Sequence, residues 1–181
     1  MEEDHILIKK YLDGDDESLK MLIEKYTSSI YNFTSRFVKD AGRDDIVQDV
    51  FIKVWKKLGS FDIEKAQFKT WLFTIARNTI TDYLRKRKII LFGSLDTKEE
   101  SFALNIEDET ILPDEALQKL QNKELLNKVV NELKEEYKIV LTLHYQEDMS
   151  FKEIGEVLNK PMNTVKSYHQ RAISTLHQRL K

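Results

Sequence analysis

Cysteine is absent from this chain of 181 residues. That absence removes disulfide scaffolds, thiolate zinc sites and thiol catalysis from consideration. Proline occurs twice and glycine five times. A sandwich or barrel needs such breakers at every hairpin, so their scarcity, with 33% of residues charged, points to long helices. No stretch approaches the about eighteen consecutive apolar residues of a membrane span, so no membrane insertion is expected. The opening MEEDHILIKK is too acidic, and its apolar run too short, for a secretory leader. No carboxylate pair, Ser/His/Asp set or glycine-rich phosphate loop stands out, and the acids between 93 and 116 lack metal-loop spacing. The expectation is a cytoplasmic, non-enzymatic, all-α protein without cofactor or metal.

What is present is an uneven distribution of charge. The net charge of −2 conceals 17 basic against 15 acidic residues over 1–92, Lys98 against eight acids over 93–115, and 11 basic against 8 acidic residues over 116–181. Residues 65–88 hold seven cations against Asp82 alone, and 160–181 hold five against no acid. A charge run is usually a solvated helix face, but two basic blocks divided by an acidic spacer are less ordinary.

The spacer GSLDTKEESFALNIEDETILPDEA lacks any sustained period and reads as a linker, with Pro113 marking entry to the next helix. So long a structureless stretch is uncommon inside one compact domain. The chain therefore divides into an N-terminal domain (1–92), an acidic linker (93–115) and a C-terminal domain (116–181). In the first, helices are expected from a cap at Asp15 or Asp16 to about Tyr26, from Ser28 to Lys39, from Asp44 to before Gly59, and from about Gln67 to Ile89. In the second they are expected near 115–133 and 135–146, followed by a short third and a long fourth. Ser150-Phe-Lys-Glu153 has the spacing of a capping box.

The helical faces carry the functional signal. On DDIVQDVFIKVWKKL, a period of about 3.6 gathers Ile46, Val47, Val50, Phe51, Val54, Trp55 and Leu58 on one half, Trp55 reading as core. Asp45, Gln48, Asp49, Lys53 and Lys56 fill the other half with Ile52 among them, a hint of a protein-binding face. On FKTWLFTIARNTITDYLRKRK, Phe68, Trp71, Leu72, Ile75, Ala76, Ile80, Tyr83 and Leu84 form the expected buried side. Thr70, Thr74, Arg77, Asn78, Thr81, Arg85 and Lys88 form an opposite arc of cations, hydroxyls and an amide without a carboxylate. Solvated faces normally mix signs, whereas donors alone suit phosphates and base edges. At the C-terminus, FKEIGEVL, NKPM and NTVKSYHQRAISTLHQRL read as helix-turn-helix, with Gly155 allowing the close approach of its two helices. Ile154, Leu158, Val165, Ala172, Ile173, Leu176 and Leu180 face inward. Asn163, Thr164, Lys166, Ser167, Gln170, Arg171 and Ser174 face outward, where such side chains reach major-groove edges and phosphates. His169 falls at the apolar boundary, and His177 lies too far round the helix to share a metal with it.

With these motifs in view, the sequence resembles the extracytoplasmic-function group of sigma factors in the sigma-70 family, over nearly its whole length. Asp45-Ile-Val-Gln-Asp-Val-Phe-Ile-Lys-Val-Trp55 is similar to one family helix. Phe68-Lys-Thr-Trp-Leu-Phe-Thr-Ile-Ala-Arg-Asn78 with Asp82-Tyr-Leu-Arg-Lys86 is similar to the next, and Ser150-Phe-Lys-Glu-Ile-Gly155 with Thr164-Val-Lys-Ser167 to the C-terminal helix-turn-helix. The family often has SRLHRA after this lysine, where the chain has Ser167-Tyr-His-Gln-Arg-Ala172.

The resemblance implies roles. Asp45, Gln48, Asp49, Ile52 and Lys56 would dock on the β′ clamp helices of core RNA polymerase, the β flap being a second contact. Arg77, Asn78, Thr81, Arg85 and Lys88 would read and help melt the −10 promoter element, with Phe61 to Gln67 where family members shape a pocket for a flipped base. Asn163, Thr164, Lys166, Ser167, Gln170, Arg171 and Ser174 would read the −35 element. The acidic linker would thread the polymerase's RNA channel, and an anti-sigma factor is a further implied partner. A stand-alone helix-turn-helix regulator would account for 116–181 but not for the basic fourth helix, and a pure interaction bundle for neither basic block.

Overall fold

The computed structural model describes residues 2–38, 42–93 and 125–180. They form α1 (Glu2–Leu12), α2 (Asp16–Ser35), α3 (Gly42–Leu58), α4 (Phe68–Gly93), a helical stretch over 125–131 (α5), α6 (Glu135–Tyr145), α7 (Phe151–Leu158) and α8 (Met162–Arg179). No strand occurs among the described residues, as the breaker-poor composition requires. Apart from Gly93 the expected linker, including Pro113, lies outside the described residues, as does the start of the helix expected near 115.

Two helical expectations are corrected. The chain begins with α1, an element the periodicity did not single out. It is short, but acids open it and Lys9 and Lys10 close it, matching the helix dipole. It buries Leu7 and Ile8 on α2, and its Asp4 accepts from Tyr26 Oη at 2.8 Å and from Lys25 Nζ at 2.7 Å. Burial first, and then the bond to Asp4, push the Tyr26 phenol well above its ordinary range. The helices expected on either side of Thr27 are one helix, α2. Leu22, Tyr26, Ile30 and Phe33 make one buried stripe across the supposed break, and Thr27 Oγ1 is satisfied inside the helix by Ile23 O at 2.7 Å. The cap is Asp15, whose carboxylate accepts from Glu17 N and Ser18 Oγ.

Within the N-terminal unit α2, α3 and α4 pack pairwise around Phe33, Val50, Val54, Leu58, Leu72 and Ala76. Phe33 meets Phe73 edge-on with ring centroids 5.3 Å apart, the preferred aromatic geometry. Phe73, which the sequence pattern left unplaced, is fully buried, because α4 is covered on a second side. That cover is the C-terminal unit. Ile139, Val140 and Leu143 of α6 and Ile154, Val157 and Leu158 of α7 belong to the same continuous core as Phe33, Leu72 and Phe73, and α7 lies directly on α4. Burying each such side chain contributes roughly 1.5–3 kcal/mol, so the junction is a substantial contact. A smaller cluster of Leu133, Leu141 and Ala172 joins α6 to α8, while Leu180, expected inside, is exposed at the end of α8.

Candidate functional site

Three outward faces come from three helices. On α3 the fully buried positions are Ile46, Val50, Val54 and Leu58, one residue per turn, with Val47 and Phe51 half-buried against the same core. The covered stripe stops short of Trp55. Expected as core, Trp55 is 56% exposed, beside Ile52 at 37%. Gln48, Ile52 and Trp55 recur at helical spacing, and Asp45, Asp49 and Lys56 flank them, all exposed. Lys53 instead turns in to donate to Thr79 Oγ1 at 3.0 Å, stitching α3 to α4. A tryptophan and an isoleucine ringed by carboxylates and an amide have the make-up of a protein-docking patch. Sequence periodicity missed Trp55 because a wide apolar arc looks the same whether the whole arc or only its centre is buried.

The α4 arc divides in two. Asn78 and Arg85 are exposed, and Arg77 donates to Asn78 Oδ1 at 2.8 Å. Arg85 also pairs with Asp82 at 3.0 Å, so a carboxylate does stand on this face, one turn before its partner. Thr81 and Arg77 are half-buried, and Arg77 faces a crevice lined by Phe33, Phe37, Glu135 and Ile139. Thr70, expected outward, is only 4% exposed, and its Oγ1 finds no hydrogen-bond partner among the described residues. The wheel of a single helix registers only that helix's own apolar face, not what packs around its first turn. The Lys88 side chain lies outside the described residues.

The third face is built by the helix-turn-helix. Ser150 Oγ accepts from Glu153 N at 3.3 Å while Glu153 Oε2 accepts from Ser150 N at 2.7 Å, completing the expected box at the start of α7. At its other end Asn159 adopts a left-handed φ of 51°, its N–H meeting Glu156 O at 3.2 Å and that of Lys160 meeting Gly155 O at 2.8 Å. This closing turn folds Lys160 back over Gly155, where an added Cβ would stand 2.7 Å from Lys160 O. α8 then leaves with Val165 and Ala172 buried and with Asn163, Lys166, Gln170, Arg171 and Ser174 exposed. Thr164 and Ser167 are half-buried, Ser167 donating to Asn163 O at 3.0 Å.

Behind α8, Tyr145 Oη and His169 Nε2 lie 2.9 Å apart, and His144 donates from Nδ1 to Met149 O at 2.9 Å. Phe151 stacks on His144 with centroids 4.6 Å apart. Burial, and secondarily His144, hold the His169 imidazole below its ordinary range. His169 thus braces the helix, as its boundary position suggested, and His177 is exposed. Among the described residues no three His, Asp or Glu side chains are placed to hold a metal, and no helix is long and apolar enough to cross a membrane.

Comparison with known proteins matches residues 22–89 to Sigma-70 region 2 and residues 123–176 to Sigma-70 region 4. The ECF RNA polymerase sigma factor SigW of Bacillus subtilis is 30% identical, over 96% of this chain and 95% of that protein. The ECF RNA polymerase sigma-E factor of Escherichia coli is 25% identical, over 98% and 94%. Among solved structures, the sigma factor RpoE of Bartonella quintana, in complex with the anti-sigma factor NepR, shares the fold with a TM-score of 0.72 at 24% identity, over 89% of this chain and 95% of that one.

Proposed function

From the premise that this chain belongs to the extracytoplasmic-function sigma factors of the sigma-70 family, and so binds core RNA polymerase and directs promoter-specific transcription initiation, we propose a division of labour among its three faces. The α3 patch of Asp45, Gln48, Asp49, Ile52 and Lys56, with Trp55 added, docks on polymerase. Arg77, Asn78, Thr81, Arg85 and Lys88 read the −10 element from α4. Asn163, Thr164, Lys166, Ser167, Gln170, Arg171 and Ser174 read the −35 element from α8. The domains at 1–92 and 116–181 carry the first two faces and the third, joined by the acidic linker at 93–115.

The observation that carries this reading is the exposed tryptophan–isoleucine patch on α3, since a chain that met DNA alone has no use for it. The paired matches to both sigma regions, in order along one chain, argue against a stand-alone regulator. On α8, arginine suits guanine and glutamine suits adenine, each bidentate pair being worth roughly 1–3 kcal/mol of discrimination. The solved relative with an anti-sigma factor supports a similar inhibitor for this chain, and a sigma factor that meets polymerase works in the cytoplasm.

Run-off transcription with core polymerase tests the assignment. Asp49→Ala and Trp55→Ala should lose polymerase binding with folding intact, Gln48→Ala less so, whereas Arg171→Ala or Gln170→Ala should bind polymerase normally and fail on promoters that need the −35 element. Normal polymerase affinity in both Asp49→Ala and Trp55→Ala would refute the docking face.

A further inference from the structure

Tyr145, the last residue of α6, is 60% exposed, and no large apolar side chain of the described residues is more open to solvent. An exposed tyrosine is ordinarily free to turn, but this one is fixed at both ends. Its ring lies against His144 and His169, with centroids 4.9 and 5.7 Å away, and its hydroxyl meets His169 Nε2 at 2.9 Å. Phe151 of α7 closes on His169 from behind, ring centroids 5.1 Å apart. A staple between α6 and α8 does not account for the arrangement. Leu133, Leu141 and Ala172 already join the two helices, and Arg179 of α8 pairs with Glu132 just before α6. A hydrogen bond open to water adds little to that, and a staple has no need of a wet ring.

Position indicates the use. His169 stands one turn after Lys166 and just before Gln170, both exposed on the outward row of α8. Tyr145, bonded to it, therefore stands at the edge of that row, beside α8 rather than on it. A helix with its side chains is about 10–12 Å across, and the major groove is about 12 Å wide. A recognition helix fills the groove, so a group standing beside it meets the groove's wall. That wall is phosphate and sugar, not base edges.

We propose that Tyr145 is a further contact to the −35 duplex, its hydroxyl donating to a backbone phosphate while His169, as a positioning residue, donates from Nε2 to the same oxygen. This rests on the assignment of α8 to the −35 element. The contact comes from α6, outside the helix-turn-helix, and fixes how α8 sits in the groove without reading sequence. Because the ring is already held, little side-chain freedom is lost on binding. The groups facing the imidazole are His144 and Tyr145 of α6, Phe151 of α7 and, one turn back on α8, Lys166. None of them is negative, so the phosphate supplies the charge that favours a proton on His169. DNA binding is then coupled to uptake of that proton.

The test uses the full chain with core polymerase and two fluorescein-labelled promoter duplexes, one with the −35 element of the run-off template and one with that element scrambled. Tyr145→Phe keeps the ring and should weaken binding to both duplexes by about tenfold. The preference between them and the salt slope should not change, since no cation is lost. His169→Phe should cost about as much, and the double variant no more than either alone. His169→Gln, whose amide nitrogen can stand where Nε2 stands, should keep the parental affinity at about pH 8. Parental affinity should rise from about pH 8 to about pH 6 as the proton is taken up, and His169→Gln should lack that rise. Parental affinity in Tyr145→Phe, or additive losses in the double variant, would overturn the contact. A loss confined to the duplex with the intact −35 element would replace the phosphate by a base as its partner and so overturn the proposal. A rise with falling pH that persists in His169→Gln would overturn the part given to His169. An Arg171→Ala protein that kept its preference for the −35 element would instead refute α8 as the reader.

Discussion

Replacing Gly155 by alanine sets two effects of known size against each other. In the interior of a helix alanine is favoured over glycine by about 1 kcal/mol, so propensity alone predicts a more stable protein. Against this, the new methyl would stand 2.7 Å from Lys160 O, where ordinary contact begins at 3.4 Å. The oxygen cannot swing aside. It belongs to the backbone of a turn closed by the bonds from Asn159 N to Glu156 O and from Lys160 N to Gly155 O. Relief therefore requires the turn, and α8 with it, to move away from α7. Overpacking of this kind costs typically 1–3 kcal/mol. The net expectation is destabilisation by about 1 kcal/mol, which for a chain of this length lowers Tm by roughly 2–4 °C. Because α8 is displaced, initiation at promoters that depend on the −35 element should fall while polymerase binding is kept. Denaturant unfolding and run-off transcription read the two effects separately. A Gly155→Ala protein more stable than its parent by about 1 kcal/mol would refute the steric argument, since propensity would then have acted unopposed.

Other substitutions have equally definite outcomes. Trp55→Ala, at an exposed site, should change folding stability by no more than about 0.5 kcal/mol, yet weaken polymerase binding by about 2 kcal/mol or more if it is an anchor; unfolding curves and a binding titration separate these. Ser150→Ala removes one half of the capping box and should cost about 0.5–2 kcal/mol by denaturant unfolding. The His169 imidazole is held below its ordinary range by burial and by His144, so its contribution to stability is present above about pH 6.5 and is lost as pH falls from there through the folded value; unfolding followed between pH 7 and 5 should show this slope, and His169→Gln should reduce it. Arg85→Ala should weaken DNA binding by the polymerase complex about equally across sequences and flatten its salt dependence by close to one unit of slope. A change in base preference at the −35 element in that variant would contradict the separation of the two readers.

Local chemistry carried the elements whose instructions are local. The Ser150–Glu153 box, the Asp15 cap, the close approach at Gly155 and the outward row on α8 each depend on residues within a few positions of one another. The charge blocks and three ordered motifs were likewise readable along the chain, and with them the family. α2 shows where local reading fails: hydroxyl residues at Thr27 and Ser28 resemble a break, yet the stripe from Leu22 to Phe33 is buried by α1, α3 and α4 together, and packing overrides propensity. Trp55 shows the complementary failure. A helical wheel gives the direction of a side chain but not the width of the surface that will cover it, and the cover on α3 takes in Val47 and Phe51 but stops short of Trp55. The continuation of the core from Phe33 and Phe73 to Ile139, Leu143 and Ile154 required the α6–α7 hairpin, which arrives from more than sixty residues away in sequence. Periodicity records one solvent-facing side per helix. Which of those sides stays wet depends on what a distant part of the chain lays across it.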